Sequence, residues 1–125
     1  MTNDLISFKE LSALQRTWVM LLAHSLEDRE PMSRKEAVKK AWLTMRLLHA
    51  LGRGVVRFAY RKEDGSLRKA VGTLCRGVCE GFDDYKGRNG KNTRDNSNTD
   101  GTYVYWDLER NSFRAFRSVS LVYME

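Results

Sequence analysis

Residues that cross-link a chain or hold a metal are scarce in this sequence. Its 125 residues include two cysteines, Cys75 and Cys79, and two histidines, His24 and His49. Two cysteines so close together are not the disulfide framework on which small secreted domains depend. Cys-x3-Cys without a neighbouring histidine also departs from structural zinc spacing. Neither Gly-x-Ser-x-Gly nor His-Glu-x-x-His occurs, and both histidines fall in helix-like stretches outside any catalytic motif. No apolar run approaches the roughly 18 to 20 residues of a membrane span. The first ten residues, MTNDLISFKE, lack the basic start and apolar stretch of a secretory signal. These absences point to a cytoplasmic, non-enzymatic protein with no metal, no cofactor and no membrane segment.

What the chain does have is positive charge, unevenly placed. The formal net charge is +6, with 22 Lys and Arg against 16 Asp and Glu. Residues 31–54 carry +5 and residues 55–79 carry +4, whereas residues 102–125 sum to zero. Such a distribution is the footprint of a polyanion partner, DNA or RNA among them, although a solvated basic face gives the same count.

The N-terminal part, residues 1–53, reads as two helices. Ser7 and Glu10 have capping-box spacing, and Leu11, Leu14, Trp18, Leu21, Leu22 and Ser25 recur with helical period, so helix 1 is expected over Phe8 to Leu26. Pro31, the single proline, separates it from a second capping box, Ser33 to Glu36. Helix 2 then runs from Arg34 to Ala50, with Gly52 near its C-cap. Its expected apolar face is Val38, Ala41, Met45 and Leu48, bordered by Trp42. Lys35, Lys39 and Arg46 align beside Trp42 as either a solvated or a phosphate-tracking face. Two helices and a turn also fit a helix-turn-helix, but these are longer than that motif's and a third is missing.

Residues 54–125 read as strands. Val56, Phe58 and Tyr60 alternate with Arg57, Ala59 and Arg61, as a half-buried strand requires. Glu63-Asp64-Gly65-Ser66 forms the turn, and the partner strand runs from Leu67 to Cys75 with Arg68 and Lys69 beside the turn. Tyr103 to Leu108, Phe113 to Arg117 and Leu121 to Met124 supply three more strands, the last after a bend at Ser118-Val119-Ser120. The expected fold is α+β: two N-terminal helices followed by a five-stranded SH3-like β-barrel. A flexible insert over residues 80–101, rich in glycine and asparagine, separates strands 2 and 3. The aspartates of this insert do not have EF-hand spacing, and Gly87 to Lys91 lacks the ending and setting of a P-loop. Lys86, Arg88, Lys91 and Arg94 within it are further candidate ligand contacts.

The strand motifs resemble a known family. Phe58 and Tyr60, Asp64 and Gly65, Arg68, Ala70, Gly72 and Thr73, then Tyr105, Asp107 and Leu108, and finally Phe116 with Arg117 resemble an uncharacterised Bacteroides-type family of small SH3-like (Sm-like) barrel domains. The resemblance implies a fold and a bacterial source, but no activity. More distantly, Arg114, Phe116 and Arg117 are similar to the late strand of WYL domains, Sm-like barrels that sense ligands in bacterial regulators. The Trp-Tyr-Leu order itself is absent, as is the winged helix-turn-helix often attached to those domains.

Two functions follow as expectations. In the first, the chain is a non-enzymatic module binding DNA, RNA or another anionic ligand. Lys35, Lys39, Arg46, Arg57, Arg61, Lys62, Arg68, Lys69, Arg114 and Arg117 then meet phosphates, and Tyr60 and Tyr105 (or Tyr103) stack on bases unless they form the core. In the second, it is a regulatory barrel that meets a protein partner through an exposed apolar patch on helix 1 or beside Trp42.

Overall fold

The computed structural model describes residues 12–75, 96 and 98–125. Helix α1 spans Ala13–Arg29 and helix α2 spans Arg34–Leu51. Five strands follow: β1 (Val55–Arg61), β2 (Leu67–Thr73), β3 (Thr102–Asp107), β4 (Ser112–Arg117) and β5 (Leu121–Met124), with a 3-10 turn, Ser118–Ser120, before the last.

Helix α1 begins at Ser12 rather than near Phe8. Ser12 is extended, its hydroxyl accepts from the Gln15 amide at 3.2 Å, and the Gln15 side chain accepts from the Ser12 amide at 3.1 Å. This reciprocal pair satisfies orphan donors at the helix start. The capping box expected at Ser7 and Glu10 lies outside the described residues. The helix also runs one turn past Leu26, ending where the Glu30 amide donates to the Leu26 carbonyl just before Pro31. Its buried side is Val19, Leu22, Ala23 and Leu26, with Trp18 half-buried against it. The expected face was therefore rotated: Leu14 is 80% exposed and Leu21 is 52% exposed.

Helix α2 starts as expected, with the Ser33 hydroxyl accepting from the Glu36 amide. It buries Ala37, Ala41, Thr44, Met45, Leu47, Ala50 and Leu51, a wider surface than the single face read from the sequence. The width follows from two neighbours, because α2 packs on α1 and also on β1, β5 and the 3-10 turn. Val38, Trp42 and Leu48 lie at the edges of this surface, half-buried. Lys40 Nζ donates to the Leu121 carbonyl at 2.5 Å, and the Thr44 and Ser118 hydroxyls meet at 2.8 Å in the interior. Helices and strands contribute to one buried cluster.

The β1–β2 hairpin forms as expected, with a register that runs from Val55 opposite Thr73 to Arg61 opposite Leu67. At its tip the Gly65 amide donates to the Lys62 carbonyl, the Lys62 amide donates to the Ser66 carbonyl, and Gly65 has φ of +87°. This is a three-residue loop closed by a glycine bulge, in which the positive φ favours glycine. Asp64 Oδ1 accepts from the amide and hydroxyl of Ser66, stiffening the loop.

The strands form one antiparallel sheet in the order β4-β3-β2-β1-β5. Strands β4 and β5 are thus opposite edges, about 19 Å apart if the sheet were flat. The 3-10 turn between them advances only about 8 Å. The sheet must therefore roll until its edges approach at this corner. Among the described residues no ladder joins β4 to β5, so the sheet is rolled but not closed. The short turn directs β5 onto β1, where the register shifts between Ala59 and Tyr60, instead of alongside β4.

Strands β2 and β3 pair only through Gly72 with Asp107 and Thr73 with Trp106, extended by the Leu108 amide on the Val71 carbonyl. Further along β3, the Asn96 side-chain amide takes a strand's place, accepting from the Val104 amide and donating to its carbonyl at 2.9 Å each. Asn98 and Asp100 close two further Asx turns, and Arg29 donates to the Asp100 carbonyl. The described end of the expected insert is thus tied to the fold. Residues 80–95 and 97, including the four candidate cations there, lie outside the described residues.

Candidate functional site

Directly paired residues of an antiparallel ladder share a face, so the registers assign the concave side of the sheet. Tyr60 faces Arg68, Phe58 faces Ala70, Tyr103 faces Phe116, Tyr105 faces Arg114, and Asp107 faces Ser112. Phe58, Tyr60, Tyr103, Tyr105 and Phe116 pack ring to ring, with Phe58 edge-on to Tyr105 at 4.9 Å between centroids. Gly72 makes room for this cluster: a Cβ there would lie 2.5 Å from the Tyr105 ring and 3.1 Å from the Trp106 carbonyl. Helix α2 packs on β1 and β5, and the hairpin tip stands beside the β3–β4 turn.

At that tip the aromatic core gives way to a polar network. The Tyr60 and Tyr105 hydroxyls are 2.9 Å apart, and Arg68 reaches Tyr105. Arg68 Nη2 also donates to Asp107 Oδ2, and Arg114 Nε lies 3.6 Å from the same oxygen. The other oxygen, Oδ1, accepts from the amides of Glu109 at 2.9 Å and Arg110 at 3.1 Å. Asp107 is fully buried, so this carboxylate exchanges solvent for two guanidinium groups and two turn amides. Burial pushes the Tyr105 hydroxyl above the ordinary tyrosine range, and the bond to Tyr60 pushes it further. Burial works against the charge on Arg68, but its bonds to Tyr105 and Asp107 outweigh that and raise its pKa.

Above this network lies a basin of about 620 Å³ lined by Arg61, Lys62, Arg68, Arg110, Arg114 and Arg117. Tyr60, Thr102, Phe116 and Ser120 complete its polar and aromatic wall, and Glu63 is the one acidic residue lining it among the described residues. Arg61, at the end of β1, donates to the Gly65 carbonyl at 3.1 Å. Arg117 is also tied to the C-cap of helix α1, through Glu30 Oε2 at 2.5 Å.

The sequence-derived residues therefore separate. Arg61, Lys62, Arg68, Arg114 and Arg117 come together, joined by Arg110, which the sequence reading missed. Its only sequence signal was its place in the turn before β4. Arg57 and Lys69 are exposed and do not line the basin. Lys35 and Lys39 are exposed on α2, and neither they nor Arg46 line the basin. Arg46 is half-buried, with Nε enclosed and unpartnered among the described residues. The joining of helix and hairpin cations is thus corrected: the hairpin shares its basin with β4, not with α2. The tyrosines are corrected too. Tyr105 and Tyr103 are fully buried and Tyr60 is 7% exposed, so none presents a ring face for base stacking.

A second depression, about 370 Å³ and largely apolar, lies between α1 and α2. Leu14, Trp18, Met45, Leu48, His49 and Leu74 line it, with Asn96 at its edge. Among the described residues, no three His, Cys, Asp or Glu side chains converge as metal ligands, and no helix is long and apolar enough to cross a membrane.

In comparison with known proteins, residues 44–122 match the family model WYL_2, described as an Sm-like SH3 beta-barrel fold. The match spans the second half of α2 and nearly all of the rolled sheet. No curated protein and no solved structure matches the chain.

Proposed function

The chain belongs to the WYL_2 family, of Sm-like SH3 β-barrel fold, and from that premise we propose that it is a non-enzymatic, cytoplasmic module binding the phosphates of a nucleic acid strand. The observation that carries this reading is the basin: six cations from the hairpin, the β3–β4 turn and β4 line one concavity, and among the described residues Glu63 is the one acidic side chain in that lining. A concave site lined by one sign of charge focuses its field on an incoming anion. With the tyrosine rings buried, recognition rests on phosphates rather than bases, which makes it tolerant of sequence.

The test is an anisotropy titration of fluorescein-labelled dT and dA oligonucleotides. With about three phosphates neutralised, affinity falls about 20-fold between 50 and 200 mM salt, and the two oligonucleotides differ by less than about threefold. No binding of either at 50 mM salt would sink the proposal.

A second reading, a protein-interaction barrel, is favoured by one observation: the depression between the helices is apolar and Leu14 beside it is largely exposed. It predicts an association that tolerates salt and is lost in Leu14→Asp. Binding that is lost only when basin arginines are removed leaves the phosphate reading alone.

A further inference from the structure

We infer that Asp107 is the positioning residue of the basin, the buried carboxylate that sets three of its six cations toward an incoming anion. The inference rests on the phosphate-binding reading of that basin. Asp107 is fully buried, and the polar partners of its carboxylate are two arginine side chains and two turn amides. One oxygen takes Arg68 from β2 and stands 3.6 Å from Arg114 of β4. The other takes the amides of Glu109 and Arg110, which fixes the turn that carries Arg110. One carboxylate thus joins three separate pieces of chain, and a cation of the basin belongs to each.

The cost of the arrangement points the same way. A carboxylate beneath an anion site repels the anion, so on charge alone Asp107 weakens binding. Its benefit is geometric. Two unanchored arginines in one concavity repel each other and lose rotamer freedom when a ligand orders them. A shared counter-charge below holds both before the ligand arrives. Arg68, 15% exposed in its side chain, is anchored most firmly, whereas Arg114, 41% exposed, keeps most of its surface open to the basin.

This gives the test an unusual sign. Asp107→Asn preserves shape and the acceptor for the turn amides but removes the negative charge. Charge alone predicts tighter binding of a labelled dT oligonucleotide. Positioning predicts affinity about tenfold weaker in 50 mM salt, with the slope of log K against log salt shallower by about 1.4, two phosphate contacts fewer. A purely structural role lowers the melting temperature and the fraction of active protein, and leaves the slope of the folded fraction unchanged. Asp107→Ser, whose hydroxyl can still accept from the turn amides, supplies the same measurement if the asparagine variant does not fold. Wild-type protein that binds while these variants bind equally or more tightly, with an unchanged slope, overturns the positioning role and leaves the basin reading intact. Wild-type protein that does not bind overturns both.

Discussion

Helix α2 and the β1–β2 hairpin are the two most basic parts of the chain, and the fold uses their charges differently. On α2, Lys35 and Lys39 stand exposed on a convex helix surface. An anion there meets one strongly solvated charge at a time, worth about 1 kcal/mol at 4 Å in water. The hairpin cations Arg61, Lys62 and Arg68 instead look across a concavity at Arg110, Arg114 and Arg117. A site is made by charges from separate elements enclosing one volume, and a row along one element does not make one.

The sharpest way to break this contrast is to reverse equal charge in both places. Arg61→Glu with Lys62→Glu, and Lys35→Glu with Lys39→Glu, change the net charge by the same amount, so long-range attraction falls alike in both. The basin pair should weaken oligonucleotide binding by about 100-fold or more in 50 mM salt, and the helix pair by less than about threefold. Comparable losses in the two proteins would mean that binding follows net charge and that the basin has no special standing.

A second difference lies beneath the charges. The basin stands on a buried network for which the exposed α2 lysines have no counterpart, and Tyr105→Phe removes its centre. Tyr60 loses its 2.9 Å partner and Arg68 loses one of its contacts, which costs about 1 to 2 kcal/mol in urea denaturation. The pH dependence identifies the group. The folded-state pKa of Tyr105 is raised above its unfolded value of about 10, so its stabilisation is complete below pH 10 and is lost as pH climbs toward the folded value. By pH 11 the wild type should have lost about 1.4 kcal/mol more than Tyr105→Phe. Parallel stability curves for the two proteins between pH 9 and 11 would show that the hydroxyl is not held protonated by the fold.

Local patterns made the hairpin legible. The alternation from Val56 to Arg61 and the Asp64-Gly65 turn are set by neighbouring residues; the structure reproduces the turn, and the alternation except at Ala59, which is buried. The burial side of α1 was less legible, because Leu14 and Leu21 satisfy a helical period as well as Val19 and Leu26 do. Small buried residues such as Ala23, Ala37 and Ala41 also add little to a hydrophobic pattern. Barrel closure was inferred from strand count and loop lengths, neither of which specifies whether β4 meets β5. The basin was half-visible. Summing charge by segment gave zero for residues 102–125, because Asp107, Glu109 and Glu125 cancel Arg110, Arg114 and Arg117, and of these three cations Arg110 was the one missed. In the fold Asp107 turns inward, and the cancellation in sequence becomes an anchor in space. That step needs the pairing of Arg68 with a residue 39 positions away, which no local pattern carries.

Lys40 tests the helix side of the contrast with the smallest effect. Unlike Lys35 and Lys39, it is half-buried and its ammonium donates to the Leu121 carbonyl, at the first residue of β5. Burial lowers its pKa, and the nearby Glu36 opposes that shift only in part. The bond holds α2 to an edge strand that pairs with β1 over just three positions, so its role is to seat the helix on the sheet. Lys40→Met keeps the aliphatic stem and removes the donor. It should cost about 1 kcal/mol of stability, because the Leu121 carbonyl loses a charged partner while the stem of residue 40 stays packed. Oligonucleotide affinity should stay within about twofold of wild type. A loss of affinity approaching that of the basin reversal, with stability unchanged, would place α2 in the binding surface after all, and the division between a fold-holding helix and an anion-binding sheet would fail.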